Sequence, residues 1–480
     1  MTLQLTKTRL PASRVKMSSP VAVKTHMRMP LLLAALLLAA GSPARPADIN
    51  SPEFSASDLF QLSKVWTVDL VFSPAEWGAM KPRMDGPRGP GFLLGPDGGR
   101  NGFLAAQGLT FNWGHADLTI GGKSFSDVGV RFKGNGTYME GSMRGKLSMK
   151  VHLTKFEKGR KLAGITEFNL ANNVTDAGWM NEELAYRLFR DAGAQAPRSA
   201  YAKVYITVTG QSSRHYVGLY SLIEEVDDNF AQDRFHSKSG ALLKPVPPSL
   251  FSYLGDDWSR YNQTYDPKTE LTAAQKARII EFCKIVSRGS DEEFAAKLPD
   301  YIDLDNFARF LAVDVWLSDF DGILNVGQNY YVWLSPTTGK MSFIAWDHDH
   351  SFGQMGRAPN STTENFSIYA PWSRGNRFVE RLFAVPAFRE LYLAKMKEFN
   401  RTIFLPERLY KQVDELAPAI RPAIAEESES SVRRFDQVVA DPGAGEGSFF
   451  GERLKTFVKA RNLRVAEQLE GNSQGDRFDR

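Results

Sequence analysis

The sequence predicts an α+β protein, with a sheet-rich N-terminal half followed by a mainly helical C-terminal half. Two observations carry that expectation. Up to about residue 225, apolar and polar residues alternate in several short runs, the mark of half-buried strands. Beyond about residue 270 the apolar residues recur every three to four positions, as on helices, and a single hairpin-like stretch interrupts them.

The elements follow in order. Lys16, Lys24 and Arg28 precede the apolar run "MPLLLAALLLAAG" (Met29 to Gly41) and the small residues "SPA". The run is short for a membrane span, which needs ~20 residues, and has the length of a secretory signal core. Residues 1–47 therefore read as a signal peptide with an upstream extension, and 48–62 as a linker. "KVWTVDLVF" puts Trp66, Val68, Leu70 and Phe72 on one face of a strand. The Gly- and Pro-rich stretch from Gly86 to Gly102 reads as a loop. "ADLTIGG", "VGVRFKG" and "KLSMKVHLTKF" read as strands, and "WMNEELAYRLFRDAG" as an amphipathic helix closed by Gly193. "SAYAKVYITVTG" and "HYVGLYSLIEEVD" form a hairpin. In the second half "AAQKARIIEFCKIV", "LDNFARFLAVDVWLSDF", "PAFRELYLAKMKEFNRTI" and "ERLKTFVKARNLRVAEQL" are helical, and 471–480 is a polar tail expected to be disordered.

Composition removes several function classes. Net charge is only +4 with no basic block, so nucleic acid is not an expected partner. The single cysteine, Cys283, sits among Ile280, Phe282 and Ile285 and reads as a buried small hydrophobe. It rules out intrachain disulfides and Cys-based zinc sites. No G-x-S-x-G, H-E-x-x-H or EF-hand pattern occurs. "GSMRGKL" falls one residue short of a phosphate-binding P-loop.

The residues with chemical content gather around the late hairpin. The turn "SPTTGK" pairs the segment starting at Asn329 with the one ending at Trp346, bringing Asn329 opposite Trp346 or Asp347. Carboxamide and carboxylate oxygens suit Mg²⁺. Asp319 and Asp321 end the preceding helix, either as solvated helix-end residues or as contributors to the same site. If "WDHDH" stays extended, Asp347 and Asp349 share one face and His348 and His350 the other. That favours an oxygen-only metal site, with the histidines as hydrogen-bonding supports. Lys146, Ser148 and Lys150 share a strand face behind a Gly-rich stretch, which is how kinases present a phosphate-binding lysine and is also what a solvated strand face looks like.

These pieces, in this order, resemble the spore coat protein H (CotH) kinase-like family. The matching stretches are "VGVRFKGNGTY", "GKLSMKVHL", "LAYRLFRDAGAQAPRSAYAKVYI", "VGLYSLIEEVD", "DFDGILNVGQNYYVWL" and "FIAWDHDHSFG". The resemblance implies a two-lobed protein-kinase-like fold, with an N-terminal lobe over 63–230 and a helical C-terminal lobe over 231–470. It implies transfer of the ATP γ-phosphate to Ser/Thr of secreted or envelope proteins, with Mg²⁺ (or Mn²⁺) as cofactor. Under it Lys146 looks like the ATP-phosphate lysine and Asp321 like the catalytic aspartate. Asn329 and Asp347 look like metal ligands, with Asp349 as a further ligand or support. "LIEEVD", with Glu224 and Glu225, looks like the hinge that meets adenine. Two departures stand out. The spacing between Asp321 and Asn329 is longer than the family pattern and Gln328 replaces its His; and Glu182 and Glu183 stand where a basic residue is expected, free to pair with Lys146 or not. The signal implies an exported protein, periplasmic, envelope-bound or secreted, without a transmembrane anchor after processing. Competing readings are a non-catalytic kinase-shaped envelope scaffold, a nucleotidyl-transferring relative, and a Ca²⁺-binding module around Asp347 and Asp349.

Overall fold

The computed structural model describes residues 55–246, 250–354, 360–442 and 454–478. The expected signal peptide and the start of the linker lie outside the described residues. The end of the expected linker is folded: Ser55 caps a short helix, Ala56–Leu59, and Leu59 is fully buried.

Strands β1 (Val65–Phe72), β2 (Gly114–Ile120), β3 (Lys123–Phe132), β4 (Met149–His152), β5 (Glu167–Ala171), β6 (Ser199–Val208) and β7 (Ser212–Glu224) close into a barrel in the order β1-β2-β3-β4-β5-β7-β6. All pairs are antiparallel except β1 with β6, whose parallel pairing seals the ring. Closure leaves no exposed sheet edge. Period-two alternation explains the filling: Val68, Leu70, Leu118, Ile120, Val128, Val130, Val151, Phe168, Leu170 and Leu222 all point inward and are fully buried. The expected strand at "KLSMKVHLTKF" shortens to β4, which leaves Lys146 just ahead of it. The Gly-rich stretch before it is helical, Gly136–Arg144, and Gly145 ends that helix at a φ of 69°.

A second core runs from Ala177 to Val465 and holds the helices from Asn181 onward and a three-stranded sheet. That sheet orders β8 (Ala241–Leu243), β9 (Tyr330–Leu334) and β10 (Met341–Ala345) as β10-β9-β8. Every residue of β9 and β10 is buried, so these strands read as continuous apolar runs rather than alternation. The helix Asn181–Asp191 belongs to this core, with Phe189 against Phe310 of the helix Leu304–Leu317. Its polar face reaches the surface only at Arg187, Arg190 and Asp191, whereas Asn181 through Tyr186 are buried, Glu182 and Glu183 included.

The long helices set the frame of the site. Thr272 and Gln275 form a capping box on Ala273–Arg288, where Cys283 is buried as expected and its thiol is pushed up to about 12 by burial. Arg461 of the helix Leu454–Leu469, itself fully buried, donates to the carbonyls of Val315 and Trp316 at the C-terminus of Leu304–Leu317. Cationic donors suit that end of the helix dipole. The expected disordered tail instead packs back, with Phe478 against Phe320 and Phe366 and Asp476 bonded to the backbone at Asn365 and Ser367. Among the described residues no helix is long and apolar enough to cross a membrane.

Candidate active site

The site grows from the open end of the β9–β10 hairpin. The register pairs Leu334 with Met341 and Tyr330 with Ala345, as the turn spacing predicts. Asn329 and Asp347 flank the end of that ladder, and both take left-handed backbone, with φ of 64° and 61°. Asn and Asp tolerate that conformation better than other residues with a Cβ. The two strands therefore break at one level, each with a polar side chain.

The Leu304–Leu317 helix delivers the third residue. Ser318 ends it in a left-handed cap, and the chain then places Asp319 in the interior and Asp321 at the hairpin end. The Asp321 carboxylate accepts from Asn329 Nδ2 at 2.9 Å and from Gln328 Nε2 at 3.1 Å. Asn329 also donates to the Asp321 carbonyl at 3.2 Å. Gln328, noted above as a departure from the family, thus supports Asp321 directly. Burial, reinforced by the charges of Asp319, Asp347 and Asp349 against the opposing His350, pushes Asp321 up to about 7.

The four-residue cluster 347–350 does not stay extended. β10 ends at Ala345, and the left-handed turn at Asp347 breaks the alternation that would have split acids from histidines. His348 goes inward, fully buried, with Nδ1 2.7 Å from Asp319 Oδ2 and its ring against Phe189. This meets the expectation of a supporting histidine, and it shows Asp319 to be a buried brace rather than a solvated helix end. Asp349 Oδ2 accepts from Thr175 Oγ1 at 2.6 Å, and the Asp349 carbonyl from Asn181 Nδ2 at 2.9 Å. Burial raises the Asp349 carboxyl, with Asp347 adding and His350 opposing. For His350 burial alone would lower the pKa, but the surrounding carboxylates of Asp349, Asp321, Asp319 and Asp347 raise it.

Sequence reasoning missed Glu182 as a member of this group. Glu182 accepts from the Tyr186 hydroxyl at 2.6 Å, and that hydroxyl accepts the Asp347 N–H at 3.0 Å. Burial, with Asp347, Asp349 and Glu183 nearby, holds Glu182 protonated well above the usual carboxylate range. The signal was the i, i+4 spacing of Glu182 and Tyr186 on a helix. Asp314 was also missed. With Asp319 and His348 it offers ligand atoms within 4.8 Å of one another, all buried.

Asp321, Asn329, Asp347 and Asp349 are thus brought together. Lys146 is held elsewhere. Its Nζ lies 2.7 Å from Glu427, the last residue of the helix Pro406–Glu427, with the rings of Tyr220 and Trp179 at 5.2 and 5.7 Å. Neither Glu182 nor Glu183 pairs with it, and among the described residues no direct contact joins it to the hairpin-end group. Burial lowers the Lys146 pKa, with Glu427 opposing. Of the two hinge glutamates, Glu224 is clamped by Arg198 and Arg234. Glu225 meets Lys150 at 3.1 Å and Asn169 Nδ2 at 2.6 Å. Burial works against its charge, but Lys150 and Lys133 outweigh it and hold Glu225 down to about 2.

The hairpin-end group could hold a hard divalent cation. Asn329 uses its Nδ2 on Asp321, which leaves the carboxamide oxygen, and the Asp347 carboxylate has no hydrogen-bond or salt-bridge partner among the described residues. Oxygen donors of this kind fit Mg²⁺.

Comparison with known proteins agrees with these motifs. The family described as CotH kinase protein matches residues 130–462. The inner spore coat protein H of Bacillus subtilis (strain 168) is 22% identical over 295 residues, covering 60% of this chain and 77% of that protein. The invasin CotH7 of Rhizopus delemar is 19% identical over 252 residues, 52% of this chain and 41% of the invasin. Among solved structures, the Shewanella oneidensis MR-1 HipA–HipB toxin–antitoxin complex with operator DNA aligns at a TM-score of 0.33, with 11% identity over 67% of this chain and 66% of that one. The Helicobacter pylori proinflammatory kinase CtkA aligns at 0.21, with 10% identity over 63% and 93%. Both scores are too low to carry an argument. The family match spans well over half the sequence and includes every residue of the hairpin-end group, so the chain belongs to the CotH kinase protein family.

Proposed function

We propose that this chain is an exported, two-lobed kinase-like enzyme that transfers the γ-phosphate of ATP to Ser or Thr hydroxyls of envelope or secreted proteins. The observation that carries the reading is the junction of Asp321, Asn329 and Asp347 at one hairpin end, joined by hydrogen bonds from Asn329 to Asp321. A scaffold has no need to collect repelling acids at one point.

Asn329, Asp347 and the free oxygen of Asp349 are the residues that would hold Mg²⁺. When bound, Mg²⁺ neutralises phosphate charge. Asp321 accepts the hydrogen bond of the attacking hydroxyl and takes its proton as the oxygen bonds to the γ-phosphorus and the bond to the β–γ bridging oxygen breaks. Its pKa near 7 suits a proton acceptor working near neutral pH. Lys146, oriented by Glu427 outside the hairpin-end group, plays the part of a lysine–carboxylate pair that meets the nucleotide phosphates from the far side of that group. The carboxylate comes from a C-terminal helix instead of the Asn181–Asp191 helix. The segment at Glu224 and Glu225 meets adenine through its backbone, its side chains being engaged in ion pairs.

The test is labelled ATP with the mature protein. Label from γ-ATP should reach protein acceptors and label from α-ATP should not. Asp347→Ala should lose the thermal stabilisation given by Mg·ATP. Asp321→Asn should keep it and lose about 10²- to 10⁴-fold in turnover. Transfer of α-label would establish nucleotidyl transfer instead, and no transfer with intact binding would establish a scaffold.

A further inference from the structure

Two lysines beside Asp347 have no role in the reading above. Lys133 follows β3, and its backbone N–H is fixed to the Ser148 carbonyl at 2.9 Å. Lys244 follows β8, and its N–H is held by the Asp266 carbonyl at 3.2 Å. From these separate anchors both side chains converge on one ring: each Nζ is 5.1 Å from the Trp346 centroid, and Lys244 is also 5.4 Å from Tyr331. Trp346 is the residue before Asp347, so both cations rest on the neighbour of a candidate metal ligand.

Their lack of a close ion-pair partner is informative. The other lysines nearby each meet a carboxylate: Lys146 meets Glu427, Lys150 meets Glu167 and Glu225, and Lys268 meets Asp266. Among the described residues no ion pair reaches the Nζ of Lys133 or Lys244. Two like charges are thus gathered over one ring, held by cation–π attraction, worth about 0.5–2 kcal/mol in general, and by the charges of Asp347 and Glu225, neither of them close enough for an ion pair. For Lys244 burial, with Lys133 and Lys268 adding and Asp347 and Glu225 opposing, brings its ammonium down to about 8. An arriving anion would relieve this. The chemistry selects the anion. Two ammonium point charges next to an oxygen metal site match a phosphate chain carrying a divalent cation, since a lone carboxylate would use the cations and be repelled by Asp347.

We propose that Lys133 and Lys244 are phosphate-binding residues of this site, holding the nucleotide's phosphate chain against Trp346 on the Asp347 side. The proposal rests on the nucleotide-binding reading above and adds two cations to it.

The experiment is calorimetric titration of the full chain with Mg·ATP, Mg·ADP and adenosine. Wild type is compared with Lys133→Met, Lys244→Met, their Arg counterparts and Asp347→Ala. Each Met variant should weaken Mg·ATP and Mg·ADP by about tenfold or more, as expected for a lost charge-assisted contact, and leave adenosine unchanged. The Arg variants should recover most of the affinity, which a folding defect would not allow. Mg·ATP affinity within about twofold of wild type in both Met variants, with Asp347→Ala defective, overturns this proposal and leaves the kinase reading standing. Equal loss of adenosine and ATP assigns the lysines a structural role and also overturns it. Wild type that binds no Mg·ATP removes both.

Discussion

Glu183 offers a direct test of the electrostatics behind the site. It is fully buried on the Asn181–Asp191 helix, beside the hydroxyls of Ser221 and Tyr201. Burial, with Asp176 adding and the Ser221 and Tyr201 hydroxyls opposing, raises its pKa from 4.5 to about 8. The sign follows from linkage. Between pH 4.5 and 8 the folded protein holds a proton that the unfolded chain has lost, so stability falls as pH rises through that window and levels off above it. At about 1.4 kcal/mol per pH unit, the gap between 4.5 and about 8 makes the total loss about 5 kcal/mol. About 4 kcal/mol of it falls between pH 5 and 8.5. Glu183→Gln cannot ionise. Its buried amide costs about 1–3 kcal/mol, but that cost is the same at every pH. Urea unfolding at pH 5 and 8.5 should therefore show the variant gaining about 4 kcal/mol on wild type over the interval. A wild-type-to-variant difference that stays constant with pH would refute the reasoning, because it would mean that Glu183 ionises alike in the folded and unfolded chains.

Two further outcomes are expected. Glu427→Gln leaves the Lys146 ammonium, whose side chain is 8% exposed, without its counter-charge. It should cost about 2–4 kcal/mol in urea unfolding, and combining it with Lys146→Met should cost less than the two separate losses together. Asn329→Gly keeps the left-handed backbone while removing the donor to Asp321, so it should weaken Mg·ATP binding with little change in Tm. Asn329→Val should fall below the Gly variant in stability by about 1–2 kcal/mol, read by the same melts.

What the sequence made legible was local. The β9–β10 register followed from a turn between two apolar runs, and the β6–β7 hairpin and the Asn181–Asp191 helix followed from their periods. Asp321, Asn329 and Asp347 could be grouped because a helix end and a hairpin end are adjacent in the chain. β5 was invisible because "EFNLA" is short and carries no β-branched residue. The β1–β6 closure was invisible because parallel pairing leaves no turn signature. The tail looked disordered because the sidedness of a lone Phe478 means nothing until Phe320 and Phe366 are beside it. The Lys146–Glu427 pair spans 281 positions, and no spacing rule reaches that far. The split of the 347–350 cluster failed for a different reason. Strand alternation was extended past Ala345, whereas one left-handed residue at Asp347 resets every side chain after it.

That single turn also explains how neighbouring residues serve opposite ends. His348 is sent inward to Asp319, whose other oxygen accepts the Asp321 N–H at 3.1 Å, so the buried pair ties the loop carrying Asp321 to the turn carrying Asp347. Asp347 and Asp349 are left near Asp321 and Glu182, where burial and their mutual repulsion raise the carboxyls of Asp321, Asp349 and Glu182, with the internal cation His350 opposing the rise at Asp321 and Asp349. Such a group gains from any positive charge brought to it, whereas Lys133 and Lys244 gain from negative charge. The two needs are opposite in sign and side by side. A bare divalent cation answers only the first, and free ATP answers only the second while meeting repulsion from Asp347. A cation–phosphate complex answers both at once, so ATP affinity should depend steeply on added Mg²⁺ in wild type and lose most of that dependence in Asp347→Ala.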